Sequence, residues 1–458
     1  MSKINTTFVS LLLLFFFINT FSQDISGDWM GVISINNAEL GIAFHIKEKA
    51  DSLVSTMDIP KQGLSDAKAA STKLMDNELI ISFPNFKIEY KGSLNDNGEI
   101  IGNLIQGGFP IALSLKRGTI VLNRPQEPTP PFDYYVEEVS FVNSIDQVTL
   151  TGTLTLPKKD GKFPVVVIVS GSGPQNRDGE MFGHKPYLLL ADQLTRNGIG
   201  VLRFDERGTG KSKGEFKDIT IDLSSLDVKS AIDYLNKRED VDNSKMGLIG
   251  HSIGGIVVPK VASENKNISF IVLLAAPGVE GDSLMLSQKS AIEKAMGLNE
   301  IQIAQGQEFV KGAYEIIKNT QLSNIALKDS IHTFYKNTYG KLLPENQRNL
   351  LVNQITGNEV VSLIKSKPSE YLEKISIPVL ALNGEKDLQV LYKENLASIK
   401  KSLEKAGNKN IEIVALENLN HLFQECSTGV LSEYAEIEQT FSPNALGIMI
   451  DWIQKQTK

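Results

Sequence analysis

The stretch KMGLIGHSIGGIVVP, residues 245–259, contains one G-x-S-x-G pattern centred on Ser252. The apolar run MGLIG predicts a strand that ends at this pattern, and IGGIVVPKVASEN predicts a helix that begins just after it. A serine on a sharp turn between a strand and a helix is the arrangement of a nucleophile elbow. Backbone segments approach closely at such a turn, so we expect Gly250 and Gly254 to avoid clashes that side chains would cause. The pattern therefore predicts that Ser252 is a nucleophile.

The sequence around this stretch alternates between apolar strands and helices from about residue 133 to the end. The strand patterns are FPVVVIVS, IGVLRFD, MGLIG, FIVLLAAP, IPVLALNG and IEIVAL. Continuous apolar runs predict strands that are buried on both faces, and their alternation with helices predicts a parallel sheet with crossover helices. Two earlier runs, YYVEEVSFV and QVTLTGTLTLP, can pair antiparallel. Ligands of such sheets bind at the carboxyl ends of the strands.

A long segment without strand patterns separates FIVLLAAP from IPVLALNG. Residues 278–371 are too many for one crossover connection, and runs such as EFVKGAYEIIKNT predict helices. We expect this segment to form an inserted helical cap over the site. A helical extension directed away from the site is the alternative.

A serine nucleophile needs a base, and the base needs an acid that orients it. Of the five histidines, His421 is the expected base, because it follows a predicted strand, IEIVAL, and so lies at a carboxyl edge of the sheet. Asp387 follows the preceding strand in IPVLALNGEKD and is the expected acid, with Glu385 and Glu417 as alternatives. The other histidines fall in the N-terminal segment, before the first crossover helix, inside the turn and in the cap: His45, His184, His251 and His332.

The loop after FPVVVIVS is expected to complete an oxyanion hole. Residues 170–173 read SGSG, and their small side chains let backbone N–H groups face the site. We expect Ser172 or Gly173 to donate together with Ile253, each donor being worth roughly 3 kcal/mol in the transition state. Gly171 is expected to support the loop. A flexible glycine loop without this role is the alternative.

The stretch FDERGTGKSKG, residues 204–214, resembles a phosphate-binding loop but fails its pattern. The first glycine of G-x-x-x-x-G-K-[ST] would fall at position 205, which is Asp205. We expect Asp205 and Arg207 to brace the loop beside the site, together with Arg177 and Asp178. No motif indicates a metal ion or another cofactor.

The N-terminal segment has the features of a signal peptide. Lys3 precedes the run FVSLLLLFFFI, which is too short to span a bilayer but suits an h-region. Residues 1–22 are therefore expected to be removed near Ser22 and Gln23, and the protein to be periplasmic or secreted. A buried core helix is the alternative. With Cys426 as the only cysteine, no internal disulfide is possible, and an inert thiol is expected.

Composition and turn patterns divide the remaining chain. The 458 residues carry a net charge of −7, which gives no basic patch for nucleic acid, and no later segment is apolar enough to span a membrane. Residues 23–122 predict a small all-β domain for packing or for contact with carbohydrate or a protein partner. The linker NRPQEPTPPF, residues 123–132, is proline-rich and stiff. Residues 133–458 form the predicted catalytic domain.

Taken together, these motifs resemble bacterial α/β-hydrolase serine esterases of the branch near dienelactone hydrolases and prolyl-oligopeptidase-type peptidases. The resemblance rests on SGSGPQNRDG, DERGTGKS, GHSIGG, LNGEKDLQV and LNHLFQ. It implies the α/β-hydrolase fold, with a mostly parallel sheet, helices on both faces and a helical cap, preceded by a small barrel-like domain. It also implies Ser252, Asp387 and His421 as the triad.

The same resemblance implies an exported enzyme that cleaves small carboxylic esters, with a preference for short acyl groups. The alternatives within this fold are an acyltransferase, a thioesterase or a serine peptidase. A catalytically inactive exported binding protein is the alternative from another class. The segment NEVVSLIKSKPSEYL, residues 358–372, departs from the aromatic-rich sequence expected there.

Overall fold

The structure is a computed structural model that describes residues 24–35, 38–50, 52–75 and 77–458. The chain forms two compact units. The first ends at Ile120 and excludes Pro60–Leu64, which group with the second unit, Val121–Lys458. The predicted signal peptide lies outside the described residues.

The first unit is a closed antiparallel β-barrel. Eight strands follow one another in the order β2-β1-β9-β8-β7-β6-β5-β3, pairing of β2 with β3 closes the ring, and β4 adds to β3. Trp29, Phe44 and Tyr90 fill the interior and are almost fully buried. The barrel-like domain expected from the alternating runs is confirmed. The strands are β1 Gly27–Ile35, β2 Ala38–Lys49, β3 Ser52–Ile59, β4 Leu64–Lys68, β5 Ser71–Met75, β6 Glu78–Phe83, β7 Ile88–Leu94, β8 Ile100–Gln106 and β9 Phe109–Arg117.

The second unit is built on an eight-stranded sheet with the order β10-β11-β13-β12-β14-β15-β16-β17. Its first two strands pair antiparallel, β11 also pairs antiparallel with β13, and the remaining pairs are parallel. The strands are β10 Tyr135–Asn143, β11 Val148–Leu156, β12 Phe163–Val169, β13 Gly200–Phe204, β14 Val241–His251, β15 Ile268–Leu274, β16 Val379–Gly384 and β17 Ile411–Leu416.

Helices cover both faces of this sheet because its strands are apolar on both sides. In β12, Val165 and Val167 pack into one core with helices α2, α3 and α10. Val166 and Ile168 point to the other core, with α1 and α12. The predicted α/β-hydrolase fold is confirmed. The helices outside the insertion are α1 Pro186–Arg196, α2 Ile221–Leu235, α3 Gly254–Glu264, α10 Tyr392–Lys405, α11 Leu431–Tyr434 and α12 Pro443–Thr457.

The insertion between β15 and β16 is helical and has a small core of its own. Ile331 and Tyr335 are fully buried among the helices of this cap. No helix in the described part of the chain is long and apolar enough to cross a membrane. The cap helices are α4 Gly281–Ala295, α5 Glu300–Asn319, α6 Asn324–Tyr339, α7 Glu345–Ile355, α8 Asn358–Ile364 and α9 Ser369–Leu372.

Candidate active site

Ser252 lies on the turn between β14 and α3, with a φ of 53°. A left-handed conformation is strained for a residue with a side chain and costs on the order of 1–3 kcal/mol. The turn is tight: a Cβ on Gly250 would lie 2.3 Å from the Gly254 carbonyl oxygen, and one on Gly254 would lie 2.3 Å from the Val169 oxygen. The glycines of the motif are therefore required by close backbone contacts.

Asp387 and His421 meet at the carboxyl ends of β16 and β17, where both are almost completely buried. His421 Nδ1 lies 2.7 Å from Asp387 Oδ2. The other carboxylate oxygen accepts the N–H groups of Gln389 and Val390 at 2.7 and 2.9 Å. A carboxylate held in this way keeps the proton of a neutral His421 on Nδ1 and leaves Nε2 as a proton acceptor.

The two alternative acids lie elsewhere. Glu385 and Glu417 are exposed, whereas Asp387 is 1% exposed and contacts the imidazole directly. Of the three carboxylates considered, it is therefore Asp387 that the structure brings into contact with His421.

A buried network beside this pair involves two residues that the sequence motifs did not identify. Tyr187 Oη accepts the Gly171 N–H at 3.3 Å and lies 3.1 Å from His251 Nδ1. His251 Nε2 lies 3.0 Å from the backbone oxygen of His421. Burial lowers the pKa of His251 to about 3, so the ring is neutral and its Nε2–H donates to that oxygen. The network joins the loop after β12 to the backbone of the histidine loop.

The loop after β12, residues 170–175, approaches Ser252 closely. A Cβ on Gly171 would lie 3.0 Å from Ser252 Cβ, which explains the glycine. Of the two candidate donors in the loop, Gly173 N–H is engaged, because it donates to the Glu359 carboxylate at 3.1 and 3.3 Å. Within the described part of the chain, the N–H groups of Ser172 and Ile253 have no acceptor. These two amides are available to a ligand.

The residues of the DERG stretch hold the surrounding loops. Asp205 accepts from the backbone, Nε and Nη2 of Arg177 at 2.8, 3.1 and 2.8 Å. Arg207 donates to both oxygens of Asp227 at 2.8 and 2.6 Å, and Asp178 pairs with Arg203. Asp205 thus holds Arg177, just after the 170–175 loop, whereas Arg207 contacts Asp227 of helix α2.

The remaining residues that the sequence analysis considered lie apart from this centre. Burial raises the pKa of the Cys426 thiol to about 11, which leaves it protonated at neutral pH. The described residues contain no cluster of three or more side chains suited to a metal ion. His45 contacts Asp28 and Asp58 in the barrel, while His184 and His332 bind Thr440 and Arg348.

An apolar pocket of about 220 Å³ lies between the cap and the segment after Asp387. Ile292 of α4 and Met296, just after its end, form one side, and Leu388 follows directly after the buried aspartate. Val430 and Leu431 complete it.

The strand order, the serine on a strained turn after β14 and the Asp–His pair at the ends of later strands define a protein of the α/β-hydrolase class. The profile of the family described as serine aminopeptidase, S33, matches residues 183–425. The match covers more than half of the chain, and the chain belongs to this family.

Three similar proteins illustrate the relationship. Esterase EstD of Thermotoga maritima is 27% identical over 292 residues, which are 63% of this chain and 61% of that esterase. A 31.7 kDa protein from the traX-finO intergenic region of Escherichia coli is 25% identical over 51% of this chain and 76% of its own. The structure of the Pyrococcus furiosus esterase Pf2001 has 17% identity and a TM-score of 0.44, covering 71% of this chain and 94% of that one. The matched segment thus spans about three fifths of EstD.

Proposed function

We propose that this protein is a serine carboxylesterase that hydrolyses small carboxylic esters. The observation that carries the proposal is the buried Asp387–His421 contact of 2.7 Å in a fold that presents Ser252 on a strained elbow. The relatives support the same activity, because EstD is an esterase. The chain order Ser252, Asp387, His421 supports the proposal, because α/β-hydrolases carry the nucleophile, the acid and the base in this order.

In this mechanism Ser252 Oγ attacks the ester carbonyl while His421 Nε2 accepts its proton. Asp387 keeps the imidazole oriented and stabilises the imidazolium that forms. The N–H groups of Ser172 and Ile253 stabilise the oxyanion, and His421 then returns the proton to the leaving alcohol. Water, activated by the same base, attacks the acyl-enzyme and releases the acid.

The size of the apolar pocket supports a preference for short acyl groups. At about 220 Å³ it is smaller than the roughly 300–1,000 Å³ that is typical of ligand pockets, which favours a short chain. We assign this pocket to the apolar part of the substrate because Leu388 in its wall adjoins the catalytic acid. Acetate to hexanoate esters are the expected substrates.

The triad is tested with 4-nitrophenyl acetate, butyrate and palmitate. We expect Ser252→Ala and Asp387→Asn to lower kcat by on the order of 10⁴-fold, because each removes a group that acts only through the triad. Glu385→Gln, an exposed carboxylate two positions away, is the matched control and should keep the parent kcat. The parent should cleave butyrate faster than palmitate.

Two results would contradict this assignment: equal hydrolysis by Ser252→Ala and the parent, or failure of a fluorophosphonate to label Ser252 in folded protein. The second result would favour an inactive binding protein on this scaffold. Addition of an alcohol acceptor, followed by product analysis, separates hydrolysis from acyl transfer, and thioester substrates test for a thioesterase.

A second candidate activity is that of an aminopeptidase, because the family description names one. The same triad cleaves amides and esters, so the leaving group decides between them. We expect kcat/KM for an aminoacyl 4-nitroanilide to be lower than for 4-nitrophenyl butyrate. The reverse order would favour the peptidase.

Two expectations from the sequence stay predictions. They are export through a cleaved signal peptide, and a role of the barrel in contacting carbohydrate or a protein partner. Mass determination of the mature N-terminus after expression in a bacterial host tests the first of them.

A further inference from the structure

Two glutamates accept hydrogen bonds from the 170–175 loop. The Glu206 carboxylate accepts the Ser170 hydroxyl at 2.5 Å and the Gln175 N–H at 3.1 Å, and so joins the two ends of the loop. Glu359, in the first turn of α8, accepts the Gly173 N–H in the middle of the loop. Gln175 Nε2 adds an internal contact to the Ser172 oxygen at 3.0 Å.

The second of these glutamates belongs to the cap, and α8 is fixed to the hydrolase fold next to it. Asn358 Nδ2 donates to the Lys217 oxygen at 3.0 Å, and Ser362 Oγ accepts the Ile221 N–H at 3.0 Å. One helical turn therefore carries both the contacts that dock the cap and the carboxylate that reaches the loop.

The two carboxyl groups face one small cavity. Its volume is about 20 Å³, room for about one water molecule. Glu206, Glu359, Ser170, Gly171, Ile253 and Asp227 line it. The cavity thus adjoins Ile253, whose amide is one of the two assigned to the oxyanion.

We propose that Glu206 and Glu359 are positioning residues that fix the 170–175 loop, so that the Ser172 amide is aimed at the reacting carbonyl only while helix α8 is docked. This inference rests on the proposed function. Neither glutamate contacts the substrate: Glu206 sets the ends of the loop, and Glu359 couples the loop to the cap.

The charges around Glu206 make this arrangement sensitive to pH. Burial raises the pKa of Glu206 to about 8, and nearby Glu359 and Asp227 add to the shift. Burial also raises the pKa of Glu359. Asp227 is neutralised by Arg207, and the Tyr187 phenol is neutral because burial raises its pKa. Because the two carboxyl groups line one cavity, loss of the Glu206 proton above about pH 8 adds a negative charge beside Glu359, and the repulsion displaces the loop.

The test compares Glu359→Ala with Glu345→Ala, a matched control that removes an exposed first-turn glutamate of α7. We expect Glu359→Ala to lower kcat about tenfold with little change in KM, and to speed hydrogen exchange of the peptide that contains residues 170–175. The control should match the parent in both measurements. Equal kcat and equal exchange in Glu359→Ala and the parent would overturn the proposal.

The pH profile provides the second readout, with variants that keep the shape of the side chains. We expect kcat/KM of the parent to fall as pH rises through about 8. The fall should be lost in Glu206→Gln and in Glu359→Gln, because in each variant only one of the two side chains can ionise. The acid limb of the profile should be unchanged. An alkaline fall that persists in both variants overturns the proposal. If a fluorophosphonate does not label the parent, the esterase assignment is refuted instead. Hydrogen exchange of the 170–175 loop then still tests whether the two glutamates fix it.

Discussion

The Tyr187 hydroxyl contacts the 170–175 loop and, through His251, the backbone of His421, the proposed base. It accepts the Gly171 N–H and lies within hydrogen-bond distance of His251 Nδ1. Since burial keeps His251 neutral, Nδ1 accepts a hydrogen bond from the Tyr187 hydroxyl, and each donor of the network has an acceptor. The relative position of loop and base thus depends on one phenol.

Tyr187→Phe should lower both stability and activity. It leaves the Gly171 N–H and His251 Nδ1 buried without partners, at a cost of about 1–3 kcal/mol each. Tyr335→Phe is the matched control, because the buried Tyr335 hydroxyl has no hydrogen-bond partner among the described residues. Thermal unfolding and kcat measure both effects. A loss of stability in Tyr335→Phe as large as in Tyr187→Phe would contradict this account.

The sequence pointed to residues whose role follows from a position at a strand end. Ser252, Asp387 and His421 could be selected because each follows an apolar run, and parallel strands bring such positions to one edge. The sequence places His251 inside the turn but predicts no role for it, because nothing in the sequence shows its partner Tyr187, 64 residues away. Contacts between buried side chains of this kind depend on tertiary packing.

Strand β12 and helix α3 approach so closely that backbone contacts backbone at Gly254. This contact lets the helix begin directly behind the nucleophile, where its N-terminal N–H groups stabilise negative charge. The element order and the sheet were predictable from continuous apolar runs. The contact of α8 with the loop was not, because residues 358–372 showed only a departure from the expected aromatic sequence.

Gly254→Ala should destabilise the protein severely, because the new Cβ would lie 2.3 Å from the Val169 oxygen and 2.6 Å from the Ser170 oxygen. Overpacking of this kind costs about 1–3 kcal/mol or more. Gly447→Ala, at an exposed position of α12 with nothing within 4 Å of the new Cβ, should instead gain up to about 1 kcal/mol. Urea unfolding of both variants measures the difference. Equal effects would show that the elbow is not tightly packed.

Across the whole molecule, several buried titratable groups are neutral in the folded state. Burial lowers the pKa of His184 to about 4 and that of His251 to about 3, whereas it raises the pKa of Glu206 to about 8. The unfolded chain binds protons to these histidines near pH 6.5 and releases the Glu206 proton near pH 4.5. Folding therefore opposes ionisation at both ends of the pH range.

Thermal stability should consequently pass through a maximum. As pH falls below about 6.5, the unfolded state binds protons that the buried histidines exclude, so stability falls. As pH rises from about 4.5 towards 8, the unfolded state loses the proton that Glu206 retains, and stability falls again. Melting temperatures between pH 4 and 9 measure this, and Glu206→Gln should flatten the alkaline side only. A melting temperature that rises steadily towards pH 4 would contradict the prediction.

The cap is a single insertion between β15 and β16, so the segment that supplies Ile292 and Met296 to the apolar pocket contains none of Ser252, Asp387 and His421. Exchange of cap modules is therefore an available route to new substrate ranges, because a graft between these strands leaves Ser252, Asp387 and His421 in place. Glu359 sets the condition for such a graft. A hybrid whose foreign cap has no acceptor for the Gly173 N–H would keep the three residues of the proposed triad. Its 170–175 loop, however, would not be held in the same position.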